Sequence, residues 1–158
     1  MRYVFMSFKP LYARKIIDGV KDCEIRTYFG EIGSGDIVVV YASTPVKAVL
    51  GEFIVEDVAV GKFESVIEYL RMCCRMFDED NWRFVNEHYV SSKRKLIVIK
   101  ISSVERYRNP VTLETLKRLV PGFRPPISYT YIDPELYAAI RGLGMDTGRA
   151  KDIILARV

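Results

Sequence analysis

Several residue types that build metal or disulfide sites are scarce in this 158-residue sequence. It contains one histidine, His88, and three cysteines, Cys23, Cys73 and Cys74, two of which are adjacent. There is no C-x-x-C pair, so the common zinc-ligand spacing is missing. An odd number of cysteines without regular spacing is not typical of a disulfide-stapled domain. We therefore expect no metal, no cofactor and no disulfide framework.

Long apolar runs are also missing. The longest stretches cover residues 37–42 and 96–99, whereas a membrane-spanning helix needs about 20 predominantly apolar residues. The first residues, Met1 to Val4, lead directly into strand-like sequence without the apolar core of a signal peptide. These features predict a protein without membrane association, located in the cytoplasm.

Familiar catalytic motifs do not occur either. The chain has no G-x-S-x-G nucleophile motif and no glycine-rich phosphate-binding loop, and the short run Gly33-Ser34-Gly35 is typical of a turn. Glutamine is absent and asparagine occurs three times, while Lys, Arg and Glu are frequent. Few thermolabile amides together with many Lys, Arg and Glu residues are typical of hyperthermophilic proteins.

The charge that is present is unevenly distributed. The net charge is +4, with 7 basic and 8 acidic residues in 1–60 but 17 and 12 in 61–158. Within 91–108, Glu105 is the one acidic residue against six basic ones. Such a segment could attract phosphates, or it could guard an exposed strand edge against pairing, and charge alone leaves both open. The six basic residues are Lys93, Arg94, Lys95, Lys100, Arg106 and Arg108.

Hydrophobic periodicity predicts an α+β protein of one domain over 1–158. Strand patterns surround a helical insert at 61–92, and a C-terminal extension covers 109–158. Sustained βα alternation is missing, so a small mixed or antiparallel, partly closed β-barrel with flanking helices fits better than a parallel sheet. The predicted strands are 2–9, 21–29, 37–42, 46–60, 93–107 and 128–132, and the predicted helices are 10–18, 63–76, 78–88, 113–120 and 134–141, the last capped by Asp133.

Glu24 and Arg26 lie two residues apart on one predicted strand and therefore share a face. A carboxylate can orient an arginine fork while leaving donors free for a phosphate or a base edge. Equally, the two can form a buried ion pair that ties the barrel together. Lys21 alternates to the opposite face unless it lies in the turn before the strand, from where it can reach the same side.

Several blocks in order resemble the ASCH domain, a branch of the PUA-like barrels. Residues 7–10 with the following helix resemble the family's opening S-x-K-P motif, and residues 19–26 resemble its G-x-K-x-x-E-x-R signature. Residues 35–43 and 46–52 resemble the next two strands, and 124–129 resemble a P-P-Q-S-[FY] element of archaeal members, with Ile127 in place of Gln. Together these blocks cover most of 4–132.

The resemblance implies a PUA-like barrel with a basic cleft beneath the first helix. Its expected partner is RNA or another single-stranded nucleic acid, with RNA preferred, and a protein partner in transcription or translation is a further possibility. Aromatic side chains beside cations can stack on bases, and Tyr28, Tyr41, Tyr129 and Tyr131 are the candidates. The expected nucleic-acid-binding residues are Lys9, Lys21, Glu24, Arg26, Lys47, Arg124 and Tyr129.

Two other functions stay open. Some relatives are considered ribonucleases, and small bacterial relatives are acetylcytidine amidohydrolases that use a Lys, a Thr three residues later and a Glu from the insert. Here Lys21 matches the Lys, but Glu24 occupies the Thr position, while Glu79 and Glu87 are the glutamates considered in the insert. A metal-independent hydrolase would use Lys21 and Glu24 as its catalytic pair. The third hypothesis is a transcription-coregulator interaction module.

Overall fold

The computed structural model describes residues 1–75 and 79–145, which form six strands and five helices. None of the helices in these two ranges is long and apolar enough to cross a bilayer. The strands are β1 (Tyr3–Phe8), β2 (Cys23–Thr27), β3 (Ile37–Ala42), β4 (Ala48–Gly61), β5 (Leu96–Thr112) and β6 (Tyr129–Ile132). The helices are α1 (Pro10–Ile17), α2 (Phe63–Cys73), α3 (Glu79–Tyr89), α4 (Leu113–Leu119) and α5 (Pro134–Gly144).

All six strands belong to one mixed sheet with the order β2-β5-β4-β3-β1-β6. Neighbouring strands are antiparallel except β1 and β3, which run parallel because α1 and β2 intervene between them. β3 is apolar throughout and is buried from Val38 to Ala42, as expected for a strand covered on both faces. The predicted α+β architecture, with a small mixed sheet and flanking helices, is therefore confirmed.

Three apolar clusters hold the helices on the sheet. In the first, Ala13, Ile16 and Ile17 of α1 pack against the strands on one face. In the second, α4 and α5 cover the other face around Phe5 and Val39. The third cluster joins α2 and α3 to β2 and β5. Helix α3 therefore packs near β2, the strand that carries Glu24 and Arg26.

The helices form where periodicity predicts them, and two boundaries differ. Thr112 caps α4 through its side chain, which accepts from the amide of Thr115 at 3.2 Å. However, α5 continues through Gly144 instead of ending near residue 142. A Cβ at Gly144 would collide with the Tyr107 ring, so this glycine permits close packing and does not terminate the helix. The predicted ambiguous tail, from residue 146 onward, lies outside the described residues.

The expectation of no disulfide is wrong. Cys23 and Cys74 form a disulfide across a sequence separation of 51, and Cys73 stays free. Cys23 opens β2 and is fully buried, while Cys74 follows the end of α2. The bond therefore fastens the helical insert to the strand that carries Glu24. The spacing of the cysteines gave no signal of this pairing, because folding brings the two elements together.

Candidate functional site

A cleft of about 650 Å³ opens at the seam of the half-barrel. The strand order ends at β2 on one side and at β6, beside β1, on the other. Curvature of the sheet brings these edges together, and side chains of Arg26 and Tyr129 bridge them. The cleft is lined by residues of β1, α1, β2, α3 and the loop before β6. Its volume lies in the range of small-ligand sites in proteins.

Lys21 enters the cleft from the turn between α1 and β2, which confirms the second of its two predicted placements. Gly19, with φ of +74°, reverses the chain after α1. The amides of Val20 and Lys21 then both donate to the carbonyl of Lys15, at 2.8 and 3.1 Å. From this fixed turn, Lys21 is 6% exposed, its ammonium donates to Glu24 Oε1 at 3.0 Å and it lies 4.7 Å from the centre of the Tyr12 ring.

Glu24 is buried at the floor of the cleft and both of its oxygens are occupied. Oε1 accepts from Lys21 Nζ at 3.0 Å and from the amide of Ile25 at 3.2 Å. Oε2 accepts from Arg26 Nε and Nη2 at 3.2 and 3.1 Å. Burial alone would raise the pKa of Glu24, but the charges and hydrogen bonds of Lys21 and Arg26 outweigh it and lower that pKa. The carboxylate is therefore ionised and holds two cations.

All five N–H groups of Arg26 donate hydrogen bonds within the protein. Besides the two bonds to Glu24, Nη2 donates to the carbonyl of Ser7 at 2.6 Å. Nη1 donates to the carbonyl and the hydroxyl of Ser128 at 3.4 and 3.2 Å. The guanidinium also lies 4.8 Å from the centre of the Phe8 ring. The idea that Arg26 keeps donors free for a ligand is therefore wrong, because closing the barrel seam uses them.

Lys9 and Lys47 lie at the rim of the cleft with exposed side chains. Lys9 follows β1 immediately before α1, and Lys47 belongs to the turn between β3 and β4. Their separate elements therefore place two cations at the end of the sheet where β1 and β3 finish. Arg124 is exposed but does not line the cleft, in contrast to Pro125 and Ile127, so its predicted role has no support in the geometry.

The four tyrosines considered for stacking are not the exposed aromatic groups of the cleft. Tyr129 is 8% exposed, and its hydroxyl accepts from the amides of Phe29 and Gly30 at 2.6 and 2.8 Å, which fixes it in the seam. Tyr41 lines the cleft but is 2% exposed. Tyr28 and Tyr131 lie outside the cleft lining. Instead, Phe29 lines the mouth and is 68% exposed.

One wall of the cleft comes from α3 and was not anticipated. Asn81, Phe84, Val85 and Tyr89 all line it, and their spacing places them on one helical face. That spacing is the signal in the sequence that could have identified them. The two glutamates considered in the insert, Glu79 and Glu87, are exposed and do not line the cleft. An insert glutamate beside Lys21 is therefore missing among the described residues.

Acid should weaken the Glu24 cluster in a measurable way. Because the folded-state pKa of Glu24 lies below its ordinary value, the ionised form stabilises the fold above about pH 4.3 and loses this effect as pH falls through the folded value. We expect the difference in unfolding free energy between the wild type and Glu24→Gln to shrink on acidification from about pH 5 to 3. Urea unfolding at several pH values measures it, and a constant difference would contradict the assignment. Asp36 titrates in both proteins, so its contribution cancels in the difference in unfolding free energy.

The comparisons with known proteins agree with this geometry. A family model described as the ASCH domain matches residues 6–119. An ASCH protein from Zymomonas mobilis superimposes with a TM-score of 0.75 at 22% identity, covering 90% of this chain and 96% of that one. The N-terminal domain of Staphylothermus marinus McrB gives a TM-score of 0.60 at 15% identity, covering 90% and 94%.

A hypothetical protein from Leishmania major also superimposes, with a TM-score of 0.58 at 15% identity over 92% of this chain and 96% of that one. No curated protein matches the chain. At these identities the solved structures establish the fold, whereas the family match includes the end of β1, α1, the Lys21–Glu24–Arg26 cluster and the helical insert. The chain belongs to the ASCH domain family.

Proposed function

We propose that the cleft binds single-stranded RNA, with one nucleotide held between its aromatic walls and its cations. The observation that carries this proposal is the combination of three lysines, Lys9, Lys21 and Lys47, with an apolar lining in one opening of the barrel. Cations attract phosphates, and aromatic faces stack on unpaired bases. ASCH domains are generally thought to bind RNA, which agrees with this assignment.

An unpartnered hydroxyl supports the proposal further. Ser7 Oγ is buried, lines the cleft and has no hydrogen-bond partner among the described residues. A buried polar group without a partner costs about 1–3 kcal/mol. A polar edge of a bound base within reach of Ser7 and the Lys21 ammonium would satisfy this hydroxyl. The cleft is therefore suited to a ligand with both a flat apolar face and a polar edge.

The Lys21–Glu24 pair fits binding better than hydrolysis. A general base must accept a proton, but Glu24 already accepts four hydrogen bonds from Lys21, Ile25 and Arg26. The Lys21 ammonium is itself a donor in this arrangement. Its remaining protons can hold a phosphate or a base carbonyl. Turnover of labelled RNA or acetylated cytidine that disappears in Lys21→Ala would instead establish the hydrolase alternative.

Salt dependence tests the proposed RNA contact. When Z cations of a protein displace counterions from a single-stranded nucleic acid, the plot of log K of binding against log salt concentration has a slope of about −0.7Z. We expect Lys9→Ala/Lys47→Ala to flatten this slope by about 1.4 and to weaken binding roughly tenfold at 0.1 M salt. Fluorescence anisotropy with a labelled RNA of degenerate sequence measures both quantities.

The matched control removes two cations that do not line the cleft. Lys117→Ala/Arg118→Ala changes the net charge equally on the exposed side of α4. It should leave the slope within about 0.3 of the wild type, because its cations contact no phosphate. Equal slopes for the two double variants would show that attraction to net charge, and not the cleft, produces the binding.

A further inference from the structure

A cluster of exposed cations lies in the connection between α3 and β5. Lys93, Arg94 and Lys95, here called the basic turn, are all exposed. The sequence left two explanations for this positive segment, a phosphate contact or protection of a strand edge. Where the turn joins β5, the strand pairs with β2 on one side and with β4 on the other, so these residues lie at no free strand edge.

The basic turn differs from the rest of the positive segment in its partners. Lys100 pairs with Glu56 at 3.0 Å, and Arg106 pairs with Asp18. In contrast, the three cations of the turn make no salt bridge with any acidic residue in the described part of the chain. Three adjacent positive charges without carboxylates repel one another, and an anionic ligand would relieve this repulsion.

Backbone and ring contacts place the basic turn beside the mouth of the cleft. The amide of Tyr28 donates to the carbonyl of Lys95 at 2.9 Å, and Lys95 Nζ lies 5.4 Å from the centre of the Tyr28 ring. Thr27 and Phe29, the neighbours of Tyr28 in sequence, both line the cleft. Tyr89, at the end of α3, lines it as well. The turn is therefore bracketed by cleft residues.

Phe29 lines the mouth of the cleft, directly follows Tyr28, which contacts Lys95 of the basic turn, and has most of its side chain exposed. It is 68% exposed, and one edge-to-face contact, with Tyr129 at 6.0 Å between ring centres, positions it. Ile127 on the same rim is fully exposed. A large exposed aromatic ring next to cations is the arrangement that single-strand binding proteins use to stack successive bases.

We propose that Phe29 and the basic turn form a second RNA subsite that continues the path out of the cleft. Phe29 stacks on the base that follows the nucleotide in the cleft, and Lys93, Arg94 and Lys95 contact the next phosphates. This subsite rests on the proposed RNA-binding function of the cleft and extends it. It would extend the binding site beyond one nucleotide, and it favours unpaired strands because stacking on Phe29 requires an unstacked base.

Two RNA lengths separate the subsite from the cleft. We expect Lys93→Ala/Arg94→Ala/Lys95→Ala to bind a degenerate 12-nucleotide RNA about 10- to 100-fold more weakly at 0.1 M salt, with a salt slope flatter by about 2. A degenerate dinucleotide should bind this variant as it binds the wild type, because its single linking phosphate joins the cleft nucleotide to the base on Phe29 and does not reach the turn. Anisotropy and competition titrations measure the two affinities.

The control variant Arg108→Ala/Lys117→Ala/Arg118→Ala removes the same charge from exposed positions on β5 and α4 that do not line the cleft. Equal weakening of the 12-nucleotide RNA by both triple variants would overturn the subsite, as would a basic-turn variant that binds like the wild type. If the wild type binds neither RNA, the proposed function itself fails. Wild-type binding of both RNAs, with loss confined to the longer one, supports the subsite.

The stacking step has its own test. Phe29→Ala should weaken binding of the 12-nucleotide RNA about 5- to 150-fold, the range covered by one base–aromatic stack. Phe29→Trp keeps a stacking face and should restore affinity to within about threefold of the wild type. Both substitutions are at an exposed position, so thermal unfolding should change little. Equal loss in the two variants would show that Phe29 does not stack on a base.

Discussion

Arg26→Ala is expected to destabilise the fold by about 3–5 kcal/mol, the cost of removing one partner from a buried ion pair. The Arg26 side chain is 16% exposed and that of Glu24 is 8% exposed. Removing the guanidinium leaves the buried Glu24 carboxylate with Lys21 as its one cation among the described residues. It also removes the seam bonds from Arg26 to Ser7 and Ser128, so that Tyr129 still bridges the seam but with fewer contacts beside it. Chemical denaturation monitored by circular dichroism measures the loss.

RNA affinity should fall in the same variant by at least tenfold, even though Arg26 has no donor to offer a ligand. The seam bonds to Ser7 and Ser128 set the width of the cleft, and Glu24 sets the position of the Lys21 ammonium. Removing a residue that orients a metal ligand typically costs 10- to 100-fold in affinity, and we expect a loss of similar size when the residues that orient Lys21 are disturbed. In the proposed RNA complex, Arg26 is therefore a positioning residue, whereas Lys21 is the group proposed to contact the ligand.

Two further variants separate charge from geometry. Arg26→Lys keeps the charge but cannot reproduce five donors in a fixed plane, so its stability should lie between those of the wild type and Arg26→Ala. Glu24→Gln/Arg26→Ala removes both charges and should be more stable than the sum of the single losses predicts. Unfolding of Arg26→Ala within about 1 kcal/mol of the wild type would show that Arg26 does not close the seam.

The sequence predicted that Glu24 and Arg26 lie together, but it did not predict the other residues that Arg26 contacts. Glu24 and Arg26 share a strand face through period-two alternation, which depends on local geometry alone. The contacts of Arg26 with Ser7 and Ser128 span 19 and 102 residues. Because they depend on the curvature that closes the half-barrel, no spacing rule could indicate them. The choice between a free and an occupied guanidinium was therefore decided by tertiary structure.

For the aromatic residues, too, the sequence pattern predicts the strand face but not the position in the tertiary structure. Alternation places Tyr28 on one strand face but gives no sign that the strand ends at Thr27 and leaves Phe29 at the cleft mouth. Tyr129 follows a proline-rich segment that resembles a family element, yet its hydroxyl is used to bridge the seam. On α3, helical spacing did indicate the cleft-lining face. Val85 and Tyr89 are four residues apart, and Phe84 lies beside Val85 on the same face of the helix.

Loss of the disulfide should have the second large effect on stability. Cys74→Ser opens a covalent loop with a sequence separation of 51, and closing a loop of this size is worth about 2–4 kcal/mol by constraining the unfolded chain. The matched control is Cys73→Ser, which changes the adjacent cysteine and leaves the bond intact. Urea unfolding under oxidising conditions should separate the two variants, and adding a dithiol reductant should bring Cys73→Ser close to Cys74→Ser.

The position of the bond connects this prediction to the cleft. Cys23 directly precedes Glu24, and the insert that Cys74 anchors continues into α3, which contributes Phe84 and Tyr89 to the cleft wall. If the bond also holds α3 against β2, Cys74→Ser should weaken RNA binding severalfold while Cys73→Ser should not. Equal stability and equal affinity of the two variants would assign no role to the bond. A loss of stability without a loss of affinity would show that α3 is held in position by its packing with Leu96 and Val98 of β5 and not by the disulfide.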